Sequence, residues 1–189
     1  LANNIYINRL VFLILVKNME ILEIIKNRRS IRKFKEDPIA KDIIDKLVEA
    51  LIWAPSAGNL QSRKFYFVFN EQLKKELSKA ALFQTFISKA PLVIIGCTNE
   101  RISTRYGKRG RELYTICDVA ASIQNLMLLA HSEGLGTCWV GAFSEKNVSK
   151  ILELPKHLRP IAIVPVGYPA HIPNPPKRCS KEDAIKFII

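Results

Sequence analysis

Between Arg28 and Phe34 the chain reads Arg-Arg-Ser-Ile-Arg-Lys-Phe, which places three guanidiniums and a hydroxyl within five residues. A guanidinium is a planar, permanently charged fork that grips two phosphate oxygens at once, and Ser30 adds a neutral donor. Ile31 and Phe34, three apart, are apolar anchors that leave Arg28, Arg29 and Arg32 free to converge on an anion. On its own the run also fits a solvated face or a nonspecific polyanion patch.

A second stretch, Pro55-Ser56-Ala57-Gly58-Asn59-Leu60-Gln61, is a turn-forming loop of small and amide residues. Asn59 and Gln61 pair donor with acceptor and can read the edge of a planar heterocycle, although an ordinary polar connector has the same composition. Ser56 lacks the G-x-S-x-G setting of a nucleophile elbow. Further along, the amide of Gln84 is free to face a ligand. Gly141, at the end of Gly136-Thr137-Cys138-Trp139-Val140-Gly141, lets a backbone N–H approach a flat molecule unhindered. Lys177 and Arg178 tip a proline-stiffened segment from Ile172, a plausible arm toward a second subunit.

These residues need a scaffold, and 189 residues with 48% hydrophobic and 24% charged content is enough for one domain with a real core. The net charge of +12 suits a nucleic acid, an anionic cofactor or an anionic membrane surface without choosing among them. Cys97, Cys117, Cys138 and Cys179 contain no C-x-x-C pair and read as small buried hydrophobes in a reducing cytoplasm. His131, His157 and His171 have no metal-ligand spacing, so no metal site is expected. The apolar run Leu10 to Val16 is too short to span a bilayer and lacks a cleavage site. Residues 1–18 are read as an upstream extension with Met19 as the natural start, a packing or partner helix being the alternative. Residues 19–189 form the domain.

Periodicity gives the elements. A short helix around Ile21 to Ile25 delivers the arginines, and Lys41 to Trp53 is a helix buried on one side. Phe65–Phe69 and Leu92–Cys97 read as strands, with a helix from Glu71 to Ala81 capped by Asn70 between them. Residues 99–111 form a basic, glycine-hinged loop, a candidate lid. Glu112 to Ser132 is a helix apolar nearly all round, central or at a subunit interface, ended by Gly134. Gly136–Phe143 is a strand, Ser144 caps a helix, and Pro160–Val166 is another strand.

Taken in order, Arg28-Arg29-Ser30-Ile31-Arg32, the Pro55 to Gln61 loop, Gly134 to Phe143 and Lys177-Arg178 resemble the flavin-dependent nitroreductase family, the short archaeal-type members above all. The resemblance runs from about Met19 to the C-terminus. It implies an α+β fold with a mostly antiparallel central sheet wrapped by helices, an intertwined homodimer and FMN at the subunit interface. Arg28, Arg29, Ser30 and Arg32 would hold the phosphate and ribityl chain, and Arg178, with Lys177, would close on the phosphate. Pro55, Ser56, Ala57 and Asn59 would come from the other subunit. Gln84 would lie near the ring's polar edge, and Val140-Gly141 would present a backbone N–H to flavin N5.

The implied activity is that of an FMN-dependent oxidoreductase taking hydride from NADH or NADPH and passing it to a small-molecule electron acceptor such as a nitroaromatic or a quinone. A cytoplasmic homodimer with no nucleic-acid or membrane partner is expected. A specialised flavoenzyme of the same fold (dehalogenation, dehydrogenation or flavin breakdown) is one alternative, and a basic nucleic-acid binder is another. Cys179-Ser180 stands where many relatives carry Lys-Pro, and residues 1–18 have no counterpart in the family.

Overall fold

The computed structural model describes residues 20–101 and 105–189; the reading of residues 1–18, and of 102–104 within the basic loop, lies outside the described residues. In chain order come α1 (Ile21–Asn27), α2 (Lys41–Ile52), a 3₁₀ turn (Ala57–Asn59), β1 (Arg63–Val68), α3 (Glu71–Ala80), α4 (Phe86–Lys89) and β2 (Leu92–Asn99). There follow α5 (Gly107–Ser132), β3 (Gly136–Thr137), α6 (Glu145–Ile151), β4 (Leu158–Gly167) and α7 (Lys181–Ala184).

The strands form one antiparallel sheet in the order β1-β2-β4-β3. Strand β2 is central and its successive side chains point to opposite faces, yet both sets are buried. Leu92 and Ile94 join Leu47, Leu51, Val119, Ile123 and Leu126 from α2 and α5 in one core cluster. Val93, Ile95 and Cys97 join Leu77, Ile87, Val148 and Cys138 in the other. Helices therefore cover both faces of an antiparallel sheet, which explains why β2 reads as an unbroken apolar run.

The caps expected at Asn70 and Ser144 are formed: Asn70 Oδ1 accepts from Leu73 N at 2.9 Å and Ser144 Oγ from Asn147 N at 3.3 Å. Gly134 stands at φ +77° just past α5. There Leu135 N donates to Ala130 O at 2.8 Å and Gly134 N to His131 O at 3.1 Å, the paired bonds of a Schellman turn.

Several expectations are corrected. Helix α5 begins at Gly107, so it takes in the second half of the basic loop, with a π-helical turn at Gly110–Tyr114. The helix is long and apolar enough to cross a bilayer, but Val119, Ile123, Leu126 and Met127 are core residues. Only Gly136–Thr137 of the Gly136–Phe143 stretch is strand; Val140 keeps one bridge to Ile163, and the chain then leaves the sheet toward Ser144. Cys117 and Cys179 are exposed, because α5 buries one stripe and the segment after Ile172 leaves the core.

The arginine segment is extended. Ser30 bridges Thr137, Ile31 N donates to Thr137 O at 2.8 Å, and Lys35 N donates to Tyr168 O at 2.9 Å. Ile31 thus anchors by strand-like packing over β3. Gly136 makes that possible, since a Cβ there would lie 2.5 Å from Ile31 Cγ1.

Candidate functional site

Helix α1 ends at Asn27, and Arg28 turns the chain into extended backbone with φ −56° and ψ 131°. Alternation then sends Arg28, Ser30 and Arg32 one way and buries Ile31 the other. Arg29 is engaged locally through one nitrogen: its Nη1 donates to Lys26 O at 2.6 Å and to Arg28 O at 2.9 Å, which ties down the end of α1.

Arg28 is half-buried, and its Nη1 is enclosed with no hydrogen-bond partner among the described residues. Burial, and then the neighbouring charges of Arg178 and Arg29, hold its guanidinium below the usual arginine range. The structure therefore brings Arg178, eleven residues past the end of β4, into the field of Arg28. Cys138 sits beneath this group: burial pushes its thiol up, opposed by Arg32, Arg28 and a hydrogen bond with Ser30. Arg32 also lies over the Phe86 ring at 5.9 Å.

Gln84 reaches the backbone beside Gly141. Gln84 Nε2 donates to Ala81 O at 2.9 Å and to Ala142 O at 3.3 Å, which fixes the backbone next to Gly141. Val140 N and O pair with Ile163 at 2.9 and 3.0 Å, so Gly141 is presented from a pinned residue. A Cβ at Gly141 would meet only Trp139, at 3.5 Å, leaving that side of the backbone open.

The Pro55 to Gln61 loop is built elsewhere. Asp118, buried in α5, accepts from Ala57 N at 2.9 Å through Oδ1 and from Ser62 N at 3.3 Å through Oδ2. Arg63 donates to the carbonyls of Ile52, Ala54 and Pro55 at 2.8 to 3.0 Å, capping the end of α2. Ser56 Oγ accepts from Gln61 N at 3.0 Å, and Gln61 Nε2 approaches Asn59 Oδ1 at 3.5 Å. The amides of Asn59 and Gln61 thus face each other on an exposed loop, with both residues at positive φ.

Asp118 lies near the middle of α5 and His131 in its last turn. They are thirteen residues apart, about 20 Å along a helix axis. His131 feels the charges of Arg28 and Arg29, whereas Asp118 holds the loop. One chain therefore gathers Arg28, Ser30, Arg32 and Arg178 near the C-terminal end of α5, holds Gln84 to the backbone that follows Gly141, and leaves Pro55, Ser56, Ala57 and Asn59 against the middle of α5. Lys177 is exposed on the arm. Sequence reading missed Asp118 and Arg63 as loop holders; a lone carboxyl inside an apolar helix was the available signal.

The Nitroreductase family model matches residues 25–85 and 79–168. A Methanothermobacter thermautotrophicus protein, named provisionally as an NADH dehydrogenase/NAD(P)H nitroreductase, is 30% identical over 84% of this chain and 82% of its own length. The FMN reductase (NADPH) of Bacillus subtilis is 27% identical over 85% of this chain and 70% of its own. The solved structure of B. megaterium NfrA1 superimposes with a TM-score of 0.84 at 28% identity, covering 88% of this chain and 73% of that one.

Proposed function

This chain belongs to the nitroreductase family, and from that premise we propose an FMN-dependent NAD(P)H oxidoreductase that reduces small electrophilic acceptors, nitroaromatics and quinones, in a pocket completed across a homodimer. The observation that carries the reading is the enclosed, unpartnered Nη1 of Arg28 in the field of Arg178 and Arg29. An enclosed donor without an acceptor is costly, and a phosphate monoester supplies both the missing oxygens and the compensating charge.

FMN, when bound, supplies the hydride and electron chemistry. The protein's own residues bind and orient. Arg28, Ser30, Arg32, Lys177 and Arg178 hold the phosphate and ribityl end, while Arg29 steadies the segment that carries them. Gly141 offers its N–H to the ring, and Gln84 fixes that backbone through Ala142 O. Pro55, Ser56, Ala57 and Asn59 reach the ring from a second copy, because within one chain α5 holds them away from the cradle.

The dimer has independent support in apolar surface that one chain leaves uncovered. Trp53 is 79% exposed, Phe187 83%, and α1 has no buried residue although Ile21, Leu22 and Ile25 lie on it. Light scattering at micromolar concentration is expected to give twice the chain mass. A stable, flavin-loaded monomer would show that the pocket needs no second copy.

The function is tested by kinetics. The chain has no G-x-G-x-x-G after a strand, so no separate dinucleotide fold accompanies the pocket, and nicotinamide and acceptor share one site in turn. Purified protein should be yellow, release its FMN on acid precipitation, and oxidise NAD(P)H in the presence of quinone or nitroaromatic acceptors. Double-reciprocal plots at several acceptor concentrations should be parallel. Intersecting lines would establish two simultaneous sites, and colourless protein that FMN fails to load would overturn the assignment altogether.

A further inference from the structure

His131 occupies the last turn of α5, where the helix dipole favours a cation. Its Nε2 is enclosed without a hydrogen-bond partner, as is Nη1 of Arg28. Both residues line one small cavity together with Arg29, Ile31 and Thr137, a space with room for about one water molecule. Two residues that share one cavity in a cationic corner thus each carry an unpartnered buried nitrogen, an arrangement that apolar packing alone does not call for.

We propose that His131 is a further residue of the phosphate site, neutral without cofactor and protonated when the FMN phosphate engages Arg28, so that cofactor affinity is coupled to pH. This rests on the FMN reading above.

The groups around the imidazole set the sign. The arginine segment contributes Asn27, Arg28 and Arg29 to the cavity, β3 contributes Thr137, and the stretch after β4 contributes only Pro169 and Ile172. No carboxylate lines the cavity among the described residues, and nearby Glu133 is paired with Lys46 at 2.8 Å. Burial, then Arg28 and Arg29, therefore push the His131 pKa below its ordinary value. A phosphate brings about −1.5 to −2 charges at neutral pH, which reverses that balance and favours the imidazolium. Binding then raises the His131 pKa, so the complex holds more protons than the free protein. Affinity must rise as pH falls toward the histidine range and decline above it.

The phosphate itself titrates near pH ~6, so the informative window lies above that. Calorimetric titration of FMN into flavin-stripped full-length protein at pH 7, in buffers of different ionisation heat, is expected to report a fractional proton taken up. The FMN dissociation constant should fall about 5- to 10-fold from pH 8 to pH 6.5, a change that one partly titrating group can supply. Riboflavin, which lacks the phosphate, should show neither effect. His131→Gln should abolish the uptake and flatten the pH dependence to within about twofold, and His131→Asn serves the same purpose if the first variant fails to fold.

Absence of proton uptake in the unmodified protein overturns the proposal without any variant. So does an undiminished slope in His131→Gln, or the same slope with riboflavin. Failure of the unmodified protein to bind FMN at any pH would instead remove the FMN reading, and this inference with it.

Discussion

Replacing Arg28 with alanine is expected to raise the FMN dissociation constant by about one to two orders of magnitude, since a charge-assisted contact contributes roughly 1.5 to 3 kcal/mol. Arg178→Ala should do the same, because Arg178 shares the field of Arg28. Riboflavin affinity should stay nearly constant in both variants, as the lost contact is to phosphate. Saturating FMN should largely restore turnover, because the role proposed for the guanidiniums is to hold the cofactor and leave the chemistry to it. If excess FMN fails to restore activity, the phosphate-clamp assignment is wrong. Arg29→Ala offers a contrast: its Nη1 is occupied by the carbonyls of Lys26 and Arg28, so its main loss is the tie at the end of α1 and a smaller effect on FMN follows.

Asp118→Ala should act on the other half of the proposed pocket. The substitution strips Ala57 N and Ser62 N of their acceptors, the first in a part-buried and the second in a buried setting. Leaving two such donors unpaired costs about 2 to 4 kcal/mol, which thermal or denaturant unfolding would register. The same change releases the loop that carries Ser56 and Asn59, so riboflavin and FMN should weaken together. That pattern separates Asp118 from Arg28: one variant acts on ring binding, the other on phosphate binding alone. Equal riboflavin affinity in Asp118→Ala and unmodified protein would mean that the Pro55 to Gln61 loop takes no part in the pocket. Asp118→Asn keeps one acceptor oxygen and should lie between the two.

Local chemistry made much of the chain legible in advance. The period of α2 and the apolar run of β2 announced a helix and a buried strand, and Asn70, Ser144 and Gly134 marked element ends by capping rules that act within a few residues. The misreadings share a cause. Gly136–Phe143 carries strand-like residues throughout, but only two of them find ladder partners on β4. Gly107 to Arg111 has the glycine and charge of a loop, yet tertiary packing of α5 carries the helix through it.

The sequence by itself determined which groups exist to meet a flavin: guanidiniums at one point, amides and a bare glycine at others. Only the tertiary structure decided which of them meet. Asp118 and Arg63 hold the Pro55 loop against the middle of α5, Gln84 fastens the backbone beside Gly141 through the Ala142 carbonyl, and Arg178 returns to the field of Arg28. The pairings of Asp118, Gln84 and Arg178 join residues dozens of positions apart. No local propensity encodes them, because each depends on how buried donors and charges find partners once the sheet and helices have packed.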